Sequence, residues 1–378
     1  MKQLIIKTDD SRNRKLDEIN QLSPGRLYIW GDGFYSRSIR EYFRQNGYSG
    51  EISVIIDDEY YNSKESDAFS FSDYLKCGDK RIPVVFGFYN YPEIQKKKAM
   101  WHDIIPHMYD FHFAVINGKI LPWNISIAKA KENAYRRSYE LLSDGRSRNV
   151  MQRYLNAAIA GEFHELFSEC YEERAYFNRI TEGIKIDTLI DCGAFDGDSI
   201  HDFVLAHQEY RRIVAIEPDP LNVQKLYERE SRESIRDLNV VQKGLGEKAG
   251  KLRFSVNGDS NSFLNDEGEE IIDITTLDDI TGEQDLGTIF LKMDIEGSEL
   301  DALYGAKRLI QERHPAMAIC VYHKEGDLIE IPQYIHELVG AGVYDYFLGF
   351  HGLDLAELVF YAVSRETGEW HKIRRDVW

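Results

Sequence analysis

Cysteine is scarce and scattered: 378 residues hold four, Cys77, Cys170, Cys192 and Cys320, with no C-x-x-C pair. That spacing argues against a disulfide framework or a zinc site, and the four read as reduced thiols of a cytoplasmic protein. Long apolar runs are missing as well. No stretch approaches the roughly 18 apolar residues that span a bilayer. The first apolar group, Leu4-Ile5-Ile6, is too short for the core of a signal peptide. Positive charge is in deficit, with 46 lysines and arginines against 64 acids and a formal charge of −18. Such a chain repels nucleic acid and anionic membranes, so a small molecule is the expected partner. There is no repeat of solenoid length and no low-complexity tract.

What is present suits globular domains: 43% hydrophobic residues, with 23 Tyr, 19 Phe and 5 Trp among the large side chains. At about 150 residues per domain the length predicts two or three. Residues 26 to about 120 alternate apolar strands at 26–30, 52–56 and 82–86 with a helical stretch in which Ile39, Tyr42 and Phe43 share one face. This predicts a Rossmann-like α/β domain over 1–120. Residues 121–182 lack strand signals and carry apolar residues at helical spacing, such as Tyr154, Ala158 and Ile159, and so read as a helical connector. Over 183–378 strands are expected at 187–191, 212–217, 238–242, 288–293 and 315–321. Two β-like stretches at 251–256 and 271–275 stand where one helix would. The last two strands, 344–349 and 357–363, are joined by a turn short enough only for an antiparallel pair.

The strongest chemical signal opens this second sheet, at Leu189-Ile190-Asp191-Cys192-Gly193-Ala194-Phe195-Asp196-Gly197. A strand ending in a glycine turn lets the backbone approach a ligand at the carboxyl edge of an open sheet. Asp191 and Asp196 place negative charge where a dinucleotide fold would welcome a pyrophosphate, so a cationic sulfonium suits this edge better. The next strand ends in Glu217-Pro218, about 20 residues on, where an acid accepts hydrogen bonds from ribose hydroxyls. A nucleoside with a positive tail and no pyrophosphate points to S-adenosylmethionine. The plain alternative is an ordinary α/β turn with an acid downstream.

The fourth strand runs into Lys292-Met293-Asp294-Ile295-Glu296-Gly297-Ser298-Glu299. Asp294 and Glu296 emerge at the same sheet edge as Gly193, and three roles are open to them: holding the methionine amine, orienting an acceptor hydroxyl, or ligating a metal. Helix capping explains Glu299 better than Asp294. After the fifth strand, Tyr322-His323-Lys324 offers His323 as a general base, with an exposed loop histidine as the alternative and His351 as a weaker candidate.

These segments resemble the FkbM family of S-adenosylmethionine-dependent methyltransferases. The residues carrying the likeness are Ile190 to Ala194, Glu217-Pro218, Thr276-Leu277-Asp278-Asp279, Lys292 to Glu299 with Gly305-Ala306, and Tyr322 to Lys324. The likeness covers about 183–363 and implies a class I methyltransferase sheet of seven strands, the last antiparallel. It also implies O-methyl transfer, often to a sugar or natural-product hydroxyl. By position, Asp191, Gly193, Ala194, Phe195, Asp196 and Gly197 would line the cofactor turn and Glu217 and Pro218 the ribose. Gly244 and Leu245 would lie near adenine, and Ser260-Asn261-Ser262 at the rim. The expected mechanism uses His323 as base with Asp294 and Glu296 beside it. A divalent metal on Asp294, Glu296 and His323 ranks second.

In the first domain Gly31-Asp32-Gly33-Phe34-Tyr35-Ser36, followed by Asp57-Asp58, resembles a weakened dinucleotide fingerprint. The favoured reading is an accessory domain without cofactor. Reading a nucleotide-linked substrate or forming a homodimer interface are its other uses. A nicotinamide-dependent oxidoreductase is the rival activity, but no Tyr-x-x-x-Lys pair follows this turn at a suitable place.

Overall fold

The structure is a computed structural model, and it describes residues 4–5, 9–62, 68–113, 115–116, 119–120, 125–255, 263–264 and 270–366. It divides into two units. The first comprises Met1–Glu132, Gln152–Tyr171 and Gly352–Ala356; the second comprises Asn133–Met151, Glu172–His351 and Glu357–Trp378. The helical stretch anticipated before the second sheet consists of Ile125–Ala130, Glu132–Leu141, Gly145–Ala160 and His164–Cys170.

The first unit is built on a five-stranded parallel sheet, in the order Ala68–Ser70, Glu51–Ile56, Arg26–Trp30, Val84–Phe86, Met108–Tyr109. Strand side chains alternate between faces, so Leu27, Ile29 and Val85 enter one core while Tyr28, Trp30, Val84 and Phe86 enter another. Burial on both faces accounts for the unbroken apolar strands. The two outer strands, three and two residues long, are too short for periodicity to reveal. Gly31 has φ 114°, and Gly33 precedes the helix Phe34–Gln45. Asp57, at the end of the second strand of that fingerprint, accepts from Trp30 Nε1 at 3.0 Å and from Lys97 Nζ at 3.0 Å.

The second unit carries a seven-stranded sheet whose strands we number β1 Thr188–Cys192, β2 Arg212–Ile216, β3 Leu238–Val241, β4 Ile289–Met293, β5 Ala316–Cys320, β6 Tyr344–Phe350 and β7 Leu358–Ser364. Their order is β3-β2-β1-β4-β5-β7-β6. All neighbours are parallel except β7, which runs antiparallel to both β5 and β6. This is the expected α/β class with its terminal hairpin. Strands β1, β4 and β5 are buried at every residue, and the chain reverses direction in the order at β1. Such switch points leave a crevice beyond the strands' carboxyl ends.

The two β-like stretches between β3 and β4 form a separate small sheet. There Gly250–Ser255 pairs antiparallel with Glu270–Thr275, which also holds Gly244–Leu245. The Thr276–Asp279 motif has a structural use. Thr276 caps the helix Leu277–Thr281, and the Asp278 carboxylate accepts from the backbone N–H groups of Arg308 and Leu309 at 2.9 and 2.8 Å, capping Lys307–Arg313. Gly305 sits where a Cβ would lie 2.2 Å from the Gly246 carbonyl oxygen. Ser260-Asn261-Ser262 lies outside the described residues. No helix among the described residues is long and apolar enough to cross a membrane.

Candidate active site

Beyond the carboxyl ends of β1, β2, β3 and β4 lies a cavity of about 500 Å³. Each strand contributes its first residues past the end: Gly193 and Phe195, Glu217 and Pro218, Gly244 and Leu245, Asp294 and Glu296. Glu173, Tyr176 and Glu357 complete the part of the wall that matters below. Ala194, Asp196, Gly197 and His323 are not part of that wall.

The turn after β1 is shaped by close approach. Gly193 has φ 77°, and its N–H donates to the Ile216 carbonyl at 3.0 Å. A Cβ on Gly193 would lie 1.8 Å from the Asp294 carbonyl oxygen, so the backbones after β1 and β4 meet only because this residue is glycine. Phe195 follows in left-handed backbone, φ 47°. Its N–H donates to Glu217 Oε2 at 3.0 Å while Asp219 N–H donates to Glu217 Oε1 at 2.9 Å. Burial raises the Glu217 pKa, and those two N–H groups oppose the rise. The Asn222 side chain is a third donor to this carboxylate, which lines the cavity wall. Gly197 serves the scaffold instead: at φ 84° it opens the helix Asp198–Ala206, and a Cβ there would meet Arg229 at 2.9 Å.

Asp191 and Asp196 do not supply the negative edge expected of them. Asp191, fully buried, faces inward and pairs with Lys292 Nζ at 3.1 Å, and the same ammonium donates to the Gly193 carbonyl at 2.6 Å. Asp196 pairs with Arg229 at 3.2 Å. A carboxylate inside a sheet costs too much to leave alone, so the charge is cancelled where it arises. The acids that face the cavity come from later positions, among them Asp198, Asp202, Asp294 and Glu296. Lys292 was visible as a lysine within the apolar strand Ile289-Phe290-Leu291-Lys292-Met293, a position that demands a buried anion. Burial alone would lower its pKa, but Asp191 and Asp294 outweigh that and hold it protonated. Lys292→Met leaves Asp191 buried and unpaired, and should lower stability by about 3–5 kcal/mol, read from the denaturant midpoint; a midpoint unchanged from wild type contradicts the pairing.

Asp294 accepts from Tyr176 Oη at 2.9 Å through Oδ2, while Oδ1 accepts no hydrogen bond. Tyr176 carried no sequence signal, since it precedes β1 in a stretch without periodicity. His323, 1% exposed, lies among three carboxylates. Nδ1 is 2.9 Å from Glu299 Oε1, and Nε2 is 3.4 Å from Asp294 Oδ1 and 3.8 Å from Glu296 Oε2. Glu299 is fully buried and also accepts from the N–H groups of Ile295 and Gly297 at 2.9 and 3.3 Å. Burial would lower the His323 pKa, but Glu299, Asp294 and Glu296 together raise it to about 10. Three carboxylates around the ring favour its charged form, and an imidazolium cannot accept a proton. Glu296, by contrast, faces the cavity with its pKa raised to about 7, by burial first and then by Asp294 and Glu299, against the pull of His323. Its backbone is left-handed, φ 54°.

Asp294, Glu299 and His323 each bring a ligand atom within 4.8 Å of the others, the donor types of a hard divalent cation. Both nitrogens of the ring already face carboxylates, whereas a metal ligand presents one bare nitrogen. The residues therefore fit an imidazolium better than a metal. His351 is likewise engaged, at 2.8 Å from Tyr361 Oη and 2.9 Å from the Glu172 carbonyl.

Residues 191–339 match the family model described as Methyltransferase FkbM domain. The chain is similar to the solved methyltransferase FkbM from Methylobacillus flagellatus KT, at 23% identity over 92% of this chain and 93% of that one, with a TM-score of 0.70, which establishes a shared fold. An rRNA methylase from Streptococcus thermophilus matches at 12% identity over 48% of this chain and 87% of that one, TM-score 0.31. A methyltransferase from Geobacter sulfurreducens matches at 15% identity over 65% and 91%, TM-score 0.28. None of the curated proteins matches in sequence. The seven-stranded sheet with its crevice and the family match define the class as S-adenosylmethionine-dependent methyltransferase. More particularly, the match to the FkbM methyltransferase domain falls on residues 191–339, which run from the end of β1 through β2, β3, β4 and β5 of this sheet.

Proposed function

We propose that the second unit methylates a hydroxyl of a sugar-like acceptor, with Glu296 as the general base. The observation that carries this reading is Glu296 itself: a carboxylate on the cavity wall, next to Asp294, with a pKa close to neutrality. A base does its best work when its pKa lies near the working pH.

The residues present fit the cofactor. Gly193 leaves a cradle that a side chain would fill, the Glu217 carboxylate lines the wall beyond β2, and Asp294 Oδ1 is an acceptor without a hydrogen bond. Gly193, Phe195, Glu217 and Pro218 would hold the nucleoside, with Gly244 and Leu245 beside the base. Held there, S-adenosylmethionine would supply a methyl group on a cationic sulfur for transfer to an oxygen.

The chain's own work is alignment and proton removal. Glu296 takes the hydroxyl proton. Asp294, fixed by Tyr176, orients the hydroxyl. Each acid disfavours ionisation of the other, and a positive charge on His323 offsets this by lowering the pKa of both. Transfer of label from S-adenosylmethionine to a panel of sugars and glycans tests the reading; label appearing only on amines or on nucleic acid would refute the hydroxyl acceptor.

Glu217→Ala removes the ribose acceptor. It should weaken S-adenosylhomocysteine binding by about 10–100-fold, the loss expected for one or two hydrogen bonds to a charged group, as measured by titration calorimetry. Unchanged affinity would place the nucleoside elsewhere.

A further inference from the structure

We infer that Glu299, a buried acid absent from the cavity wall, is the positioning residue for Glu296: one oxygen of Glu299 ties both sides of the turn that carries Glu296 to the ring of His323. This inference rests on the proposed function and deepens it. Glu299 is fully buried, and the wall is formed without it. Its Oε1 accepts from the Ile295 N–H at 2.9 Å and from the Gly297 N–H at 3.3 Å, the amides on either side of Glu296. The same oxygen lies 2.9 Å from His323 Nδ1. Oε2 is buried without a hydrogen bond, so the work of the carboxylate falls on a single atom. A cap would serve the helix that this residue opens, Glu299–Tyr304, but both donors lie ahead of that helix.

The contacts act on Glu296 in two ways. The first is geometric. Glu296 stands between the two donors in left-handed backbone, φ 54°, which side-chain-bearing residues rarely take. Hydrogen bonds to an ionised acceptor are among the stronger ones, and this pair holds the turn in the shape that brings Glu296 to the wall. The second is electrostatic. The charges that face Glu296 are Lys292 on β4, Asp294 and Glu299 on either side of it, and His323 after β5. Glu299 pushes the Glu296 pKa up and His323 pushes it down, while Glu299 itself does most to keep His323 charged. Glu299 also faces Asp327, at the start of the helix Asp327–Val339, where burial first and then Glu299 raise the pKa to about 7, against His323 and Lys324. One buried carboxylate thereby sets where the base stands and the pH at which it works.

Two substitutions separate the oxygen from the charge. Glu299→Gln keeps the volume and an acceptor oxygen and removes the charge; Glu299→Ala removes all three. The Glu296 pKa is read by infrared titration of the full chain, from the carboxyl band that Glu296→Gln deletes, and needs no acceptor. In Glu299→Gln it should fall by at least about 0.5, because a neighbouring anion is gone while His323, still facing Asp294 and Glu296, keeps its proton. Hydrogen exchange at Ile295 and Gly297 should stay within about threefold of wild type in Glu299→Gln and quicken at least about tenfold in Glu299→Ala. A Glu296 pKa unchanged or raised in Glu299→Gln, or wild-type protection of both amides in Glu299→Ala, overturns the inference. Should Glu299→Ala fail to fold, Glu299→Gln decides alone. If Glu296→Gln keeps the wild-type kcat, the reading of Glu296 as base falls first; if it is inactive while the titration of Glu296 ignores Glu299, only the positioning role is wrong.

Discussion

Gly193→Ala should abolish cofactor binding. The added methyl would sit 1.8 Å from the Asp294 carbonyl oxygen, which is backbone and has no rotamer to yield. At φ 77° an alanine also carries a strain of roughly 1–2 kcal/mol. Relief requires the ends of β1 and β4 to part, which moves Asp294 and Glu296 away from the turn that cradles the nucleoside. The expected loss in S-adenosylhomocysteine affinity is at least about 100-fold, equivalent to about 2.7 kcal/mol. Circular dichroism should show the α/β signature retained. Should the variant fail to fold, Glu217→Ala asks the same question with the backbone intact. Wild-type affinity in both variants would remove the nucleoside from this cavity.

Glu296→Gln should lower kcat by about 10²–10⁴-fold, the usual contribution of a general base, with S-adenosylhomocysteine affinity within about threefold of wild type. The wild-type rate should depend on pH with a definite sign. Glu296 acts only when deprotonated, and its pKa is raised to about 7. Activity should therefore climb about tenfold per unit below that pH and level off above it. His323→Gln removes a cation that lowers this pKa, so the profile should move to higher pH while a plateau rate persists. Were His323 itself the base, the same substitution would erase the rate at every pH. A kcat that survives Glu296→Gln, or a wild-type profile that is flat from about pH 5 to about pH 8, contradicts the assignment.

The strands were legible because β4 and β5 are apolar at nearly every position, and the ends of β1, β2 and β4 were marked by glycine or acid. The antiparallel hairpin followed from the short turn between Phe350 and Ala356. Burial depth was harder to read. A string of letters places Asp191 at a strand end without saying that Lys292, on the neighbouring strand, cancels it. The setting of His323 was hidden for the same reason: its three acids come from the single stretch 294–299 after β4, and only the fold brings Glu299 within 2.9 Å of the ring. The lysine inside β4 was the available clue, since a charge in an apolar strand needs a buried counter-ion. Tyr176 and Glu357 offered none, because each lies in irregular chain and gains its meaning from the cavity it meets.

The decisive measurement is calorimetric titration of the wild-type chain and Gly193→Ala with S-adenosylhomocysteine, alongside NAD. A single saturable site for the adenosyl compound on the wild type, lost in the variant, with no heat from NAD, is the expected outcome. Binding of NAD in its place, or adenosyl binding that ignores Gly193, would mean that the crevice beyond β1 and β4 is not where the methyl donor sits.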